Sequence, residues 1–388
     1  MRSAFLTVIA ALISFGCSGT NPPAEPQPDG GPPVPDAGDM IPDAGNDDAS
    51  MSGDADAAPP PDPLSEQPIG YATLEGGTTG GEGGQTVTVT NYDELEAAAE
   101  GSSDPLIIKV SGTITGEAQI YVKSNKTILG LPGSKLMGVG LRLSEVSNVI
   151  LRNLTIEGVV ADLGSGDQDA ISLKYGTHHV WIDHCDLRAQ PVGESFVVNG
   201  SEEYYDGLID ITRGCDYVTV SWTKFADSYK AVLIGGGSGE TENIGKQHVT
   251  LYKNYFLDCL ERGPYVGLST AHVFNDYTRV TQLTGHIGNG ISIRDNGQVR
   301  TDNNYFDHTL VEGSGMSPSF PIITGYSSSV GGPGVVTNAD SNILVNTVEP
   351  YITTPPGDFE PPYAYAPIPA ADVPAVVSAG AGATLSIQ

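Results

Sequence analysis

Basic residues are scarce in this chain. Its 388 residues hold 18 Lys and Arg against 47 Asp and Glu, a formal net charge of −29. Such a balance argues against non-specific nucleic-acid binding, which needs basic patches to displace counterions. It also makes an acidic substrate awkward unless cations or a few placed bases bridge the repulsion. Cysteine is nearly absent, at four residues. With Cys17 near the leader, the remaining Cys185, Cys215 and Cys259 leave room for at most one bridge within the chain. Charged helical runs are few, and the one apolar stretch at the N-terminus, Ala4 to Ile13, is too short to span a bilayer. Glycine (49) and tyrosine (17) are plentiful, which favours an all-β chain with many turns.

The first segments read as address and tether. Residues 1–16 form an export signal, with Arg2 ahead of the apolar stretch. Ser14-Phe15-Gly16-Cys17 resembles a bacterial lipoprotein lipobox with Ser14 in place of the usual Leu. That resemblance implies an acylated Cys17 and an extracellular protein anchored to the outer membrane; simple cleavage, giving a secreted protein, is the alternative. Residues 17–66 are rich in Pro, Asp, Ala and Gly and carry 11 of the 47 acids and no Lys or Arg. Such a segment cannot bury a core and is expected as a solvated linker. Residues 67–388 are expected to form one domain, with Pro318 to Gln388 wrapping it.

Order is expected from about Pro68. Tyr92 to Glu100 reads as one capping helix with Asn91 as its N-cap. A repeat then takes over. Val149-Leu151-Ile156, Val180-Ile182-Leu187, Val218-Val220-Phe225 and Val249-Leu251-Phe256 place apolar residues at i, i+2 and i+7, and Val299-Thr301-Phe306 keeps the spacing with one polar member. Thr127 to Gly130 and His272 to Tyr277 fit it loosely. Polar residues such as Asn153, His184 and Lys253 fill the bend. Units of this kind cannot bury a face alone and must stack. The fold predicted is all-β, a right-handed single-stranded parallel β-helix, with Gln190–Tyr205 and Gly235–Lys246 as loops on one side. Cys185 falls in an interior ladder column with Leu154, Thr223, Asn254 and Asn304.

Two acidic groups stand out. Asp167 and Asp169 lie two apart, roughly 6.6 Å on an extended chain, which suits one hard cation or a solvated turn. Asp206 and Asp210 would be roughly 13 Å apart on a straight strand, too far to share an ion unless the chain bends at Gly207. Otherwise Asp206 caps a turn and Asp210 pairs with Arg213.

Taken in order, VWIDHCDL (Val180 to Leu187), Asp206 to Phe225, VTLYKNYF (Val249 to Phe256), ERGP (Glu261 to Pro264) and AHVFND (Ala271 to Asp276) resemble the family one pectate lyases. GYATLEGGTTGGEGG, SNKTILG and NVILRNLTI extend the likeness, which runs from about Pro68 to Asn304. The resemblance implies that Asp167, Asp169, Asp206 and Asp210 hold Ca²⁺, that Lys230 binds substrate and that Arg262 is catalytic. It also makes His184 structural, a buried hydrogen-bonded residue and neither ligand nor base. The activity implied is cleavage of polygalacturonate or pectin by β-elimination, by a monomer. Removing the C5 proton beside a sugar carboxylate needs a stabilised dianion, the role of Ca²⁺ and Lys230. Arg262 as base is chemically unusual, because a guanidinium holds its proton tightly; an ion pair with Glu261 or a calcium carboxylate is its other reading.

One departure stands out. Where the family carries further arginines after Arg-x-Pro, this chain has Tyr265 and Gly267. Loss of a bidentate clamp predicts weaker binding of fully charged pectate, with Tyr265 stacking on a sugar and tolerating methylated pectin. The competing readings are a pectin lyase, a β-helix glycoside hydrolase with a carboxylic acid pair, and a non-catalytic pectin-binding surface protein.

Overall fold

A single coil of the chain shows why the repeat has its spacing. It runs through Ser147–Arg152 and Thr155–Glu157 to Ile171–Lys174, and the next coil begins at His178. Each such coil gives one strand to each of three parallel sheets, here called A, B and C, which among the described residues have ten, nine and eight strands respectively. This is the right-handed parallel β-helix expected from the sequence. The computed structural model describes residues 66–161, 168–190, 204–237, 239–281, 290–308, 322–327, 331–345 and 354–388, all within the unit Pro60–Gln388. The leader, Cys17, the linker before Glu66 and Asp167 lie outside the described residues.

The i and i+2 positions are one strand of sheet A, and i+7 is the following strand of sheet B. Val149, Val180, Val218 and Val249 pair in register down sheet A, and Ile156, Leu187, Phe225 and Phe256 down sheet B. All of them are buried. Between the two strands the residue at i+4 turns the chain with positive φ: Asn153 at 57°, His184 at 47°, Trp222 at 46° and Lys253 at 55°. Asn adopts that region easily; Trp and Lys do so only because the stack holds them there. The loosely fitting segments also supply strands of sheet A, Lys126–Gly130 and Thr270–Phe274.

The i+5 column points inward and replaces backbone pairing at the bend. Asn254 Oδ1 accepts from Thr223 N at 3.0 Å, Asp276 Oδ1 from Asn254 N at 2.7 Å, and Asn304 Oδ1 from Asp276 N at 2.8 Å. Cys185 occupies the same column and is fully buried. It, Cys215 and Cys259 are all free thiols, and burial pushes those of Cys185 and Cys215 up to about 12.

Three further segments pack against the coils. Helix α1, Tyr92–Glu100, starts where Asn91 Oδ1 accepts from Glu94 N at 3.0 Å, and buries Leu95 and Ala99 in the core. Helix α2, Val373–Gly380, packs Val373 and Val377 against Tyr255 and Tyr277 of sheet B. The segment from Ile69 to Thr79 crosses sheet A, with Tyr71 N donating to Thr250 Oγ1 at 3.0 Å and Ala72 N to Thr219 Oγ1 at 3.1 Å. Gly235–Lys246 leaves between sheets C and A, whereas Gln190–Tyr205, mostly outside the described residues, lies between B and C.

Candidate active site

The corner between sheets B and C is held by backbone bonds from coil to coil. Ala170 N donates to Gly207 O at 3.1 Å, Leu208 N to Ala231 O at 3.1 Å, Ala231 N to Glu261 O at 3.1 Å, and Gly263 N to Gly290 O at 2.8 Å. Parallel strands repeat every roughly 4.8 Å. The ladder therefore brings Asp169, Asp206, Lys230 and Arg262, each from a different coil, to one stretch of corner.

Asp210 joins them from sheet C. In the strand Ile209–Ile211 the two isoleucines are buried in the core and Asp210 alternates to the outer face. It sits in register between Ser172 and Leu233. Gly207 lies between Asp206 and Asp210, and the charge of Asp206 is felt at Asp210. A Cβ on Gly207 would stand 2.5 Å from Asp210 Oδ1 and 3.0 Å from Asp169 Oδ1, so this approach of two carboxylates requires glycine. Gly207 N also donates to Asp169 Oδ1 at 3.1 Å.

Charges of opposite sign face each other here. Lys230 Nζ donates to Asp206 Oδ1 at 3.2 Å, and Arg262 Nη1 lies 3.7 Å from Asp210 Oδ1. Arg262 itself turns with φ 62°, ahead of a cis Gly263–Pro264 bond. Burial, then Asp210 and Asp206, raises the Asp169 carboxyl well above its usual range. Burial likewise raises Asp210 to about 6, against the pull of Arg262. Lys174, on the outer face beside Asp210, is lowered by burial and then by Arg142.

The donor set fits a hard divalent cation. Asp169 Oδ2 and Asp210 Oδ1 are buried with no hydrogen-bond partner, although buried carboxylate oxygens are normally satisfied. Among the described residues no three His, Cys, Asp or Glu side chains already stand together as a metal cluster; Asp206 is engaged by Lys230.

The other sequence candidates fall as follows. His184 is at the A–B corner, with Nδ1 2.6 Å from Asp183 Oδ2, and Arg152 Nε donates to the same oxygen at 2.7 Å. Arg213 lies 3.7 Å from Glu240 and 3.8 Å from Glu242, so it is the partner of those acids. Tyr265 is on the outer face of sheet C, in register with Leu233, and the Arg294 guanidinium lies over its ring. Two neighbours of the site escape a reading of the sequence. Lys174 could have been found from the alternation in Ile171–Lys174; Gln119, whose Nε2 donates to the Asp169 carbonyl at 3.1 Å, has no signal.

A family model described as pectate lyase matches residues 62–384. A pectate lyase of Emericella nidulans is 43% identical over 240 residues, 62% of this chain and 68% of that protein. A pectate trisaccharide-lyase of Bacillus licheniformis is 35% identical over 323 residues, 81% and 85% of the two chains. The crystal structure of a Bacillus pectate lyase in complex with trigalacturonate matches with a TM-score of 0.65 and 29% identity, covering 81% of this chain and 98% of that one. With its three stacked sheets and the acidic and basic side chains gathered at one corner, the chain belongs to the pectate lyase family.

Proposed function

We propose that the B–C corner splits (1,4)-α-galacturonan by calcium-dependent β-elimination, with Arg262 as base and Lys230 as a substrate-binding residue. One observation carries this reading: Asp169, Asp206 and Asp210 meet Lys230 and Arg262 on successive coils, with two buried carboxylate oxygens left without hydrogen bonds. Asp169, Asp206 and Asp210, with Asp167 as a further candidate, are the residues that would hold Ca²⁺. Bound there, the ion would supply positive charge to an acidic cleft and to the dianion that forms when C5 loses its proton. Lys230 orients a uronate carboxylate against that charge. Arg262, in its neutral form, accepts the C5 proton. The electron pair becomes the C4–C5 double bond, and the oxygen on C4 departs and is protonated, leaving a 4,5-unsaturated end.

The test is ultraviolet absorbance of the unsaturated product from polygalacturonate, first with calcium and then with chelator. Absorbance that grows only with calcium supports the proposal. Hydrolysis without absorbance would point to a glycoside hydrolase, binding without cleavage to a non-catalytic protein, and activity indifferent to chelator to a pectin lyase. We further propose that residues 1–16 direct export, with Cys17 as the lipid attachment point. Palmitate labelling that survives Cys17→Ser would rule out the attachment.

A further inference from the structure

The outer face of sheet C continues beyond Asp210 to an arginine. Gly267 and Arg294 are register partners on adjacent coils. The Arg294 side chain, only 17% exposed, runs back over Gly267 instead of out into solvent. A Cβ at Gly267 would lie 2.9 Å from Arg294 Nε and 3.2 Å from its Cγ. Further along, the guanidinium carbon stands 4.7 Å from the centre of the Tyr265 ring. Its Nη2 donates to the carbonyl of Gly236, which follows the strand Val232–Ile234, and that strand pairs directly with the Asp210 strand. A side chain rooted two coils beyond Val232–Ile234 thus places its charge on the coil adjoining Asp210.

Its hydrogen bonding is unfinished. A guanidinium has five N–H donors in a planar fork. Nε is buried without a hydrogen-bond partner, and among the described residues the nearest carboxylate oxygen to it, Asp295 Oδ2, is 3.4 Å away. Tyr265 supports the plane from one face. A buried cation held flat by an aromatic ring, on the sheet that also carries Asp210, suits a carboxylate arriving from outside.

We propose that Arg294 is a specificity-determining residue of the cleft, binding a galacturonate carboxylate from the coil after the one that carries Arg262, through space that Gly267 leaves open. This assignment rests on the polygalacturonate reading above. It makes Tyr265 a support for the guanidinium and returns to the cleft a basic charge that positions 265 and 267 do not supply.

The experiment measures KM and kcat on polygalacturonate with calcium, and trigalacturonate binding by calorimetry, with thermal melts as the fold control. Arg294→Gln should raise KM and weaken binding about tenfold or more, the loss of one charge-assisted contact, while kcat stays within about twofold. Gly267→Ala leaves the arginine in place but pushes it aside, and should raise KM about threefold. The exchange Gly267→Arg with Arg294→Gly should return KM to within about threefold of wild type. Folded Arg294→Gln with unchanged KM and binding would overturn the assignment, as would an exchanged protein no better than Arg294→Gln. Should Arg294→Gln lose the fold, Gly267→Ala decides alone: a raised KM supports the assignment and an unchanged one overturns it. A wild-type protein that yields no unsaturated product fails the catalytic reading instead, a separate outcome.

Discussion

Gly207→Ala puts one methyl group between the carboxylates of the site. The new Cβ would stand 2.5 Å from Asp210 Oδ1 and 3.0 Å from Asp169 Oδ1, the first roughly 1 Å inside ordinary contact. The carboxylates must yield, and the bond from Gly207 N to Asp169 Oδ1 at 3.1 Å is strained with them. Overpacking of this kind costs about 1–3 kcal/mol. Disturbing the support of a metal ligand typically lowers affinity about 10–100-fold, or about 1.4–2.7 kcal/mol. The assay is the thermal melt with and without calcium, read beside the calcium dependence of lyase rate. At calcium 100 times its wild-type dissociation constant, binding stabilises the native protein by about 2.7 kcal/mol; a tenfold weaker site keeps about 1.4 kcal/mol. A folded Gly207→Ala protein with the wild-type calcium titration would refute the geometry on which the metal assignment stands.

Three further outcomes are expected. Arg262→Ala should lower kcat by about 10²–10⁴, the usual contribution of a positioned base, with KM within a few-fold; a kcat within tenfold would remove Arg262 from the chemistry. Calcium affinity should fall as pH drops below about 6, where Asp210 takes up its proton. Because its folded carboxyl is raised, the calcium-free fold binds protons that the unfolded chain has released, so it loses stability as pH rises towards 6; melts that rise over that range would contradict this. Asp276 accepts from Asn254 through Oδ1, leaves Oδ2 buried without a partner, and is held well above the usual carboxyl range by burial. Asp276→Asn should therefore stabilise the protein at neutral pH by about 1–2 kcal/mol and flatten its pH dependence, which melts at pH 5 and pH 8 would show.

Two of the three sheets were legible because they are joined by a bend of constant length. Val149, Leu151 and Ile156 keep their offsets since one left-handed residue, Asn153, turns the chain between their strands. Sheet C carries no such signature. Its strands, such as Leu141–Ser144, Ile209–Ile211 and Val232–Ile234, have three or four residues and follow loops of changing length. The consequence for the site is direct. Asp169, Asp206, Lys230 and Arg262 could be named from motifs, but their meeting depends on turns stacking at the B–C corner, which has no fixed spacing. Asp206 precedes the sheet C strand and Asp210 lies within it, so the spacing of a straight strand does not describe the pair. Arg294 was invisible for the same reason: only the register that sets it against Gly267 reveals what it reaches.

The crossing of sheet A by the segment from Ile69 to Thr79 bears on how the molecule is made. Tyr71 and Ala72 are bonded to Thr250 and Thr219, 179 and 147 residues further along. During synthesis or export, these two amides have nothing to fasten to until Thr219 and Thr250 have emerged. The crossing is a seam closed by later-arriving cloth, and a chain truncated before Thr219 would leave both of these amides without their acceptors.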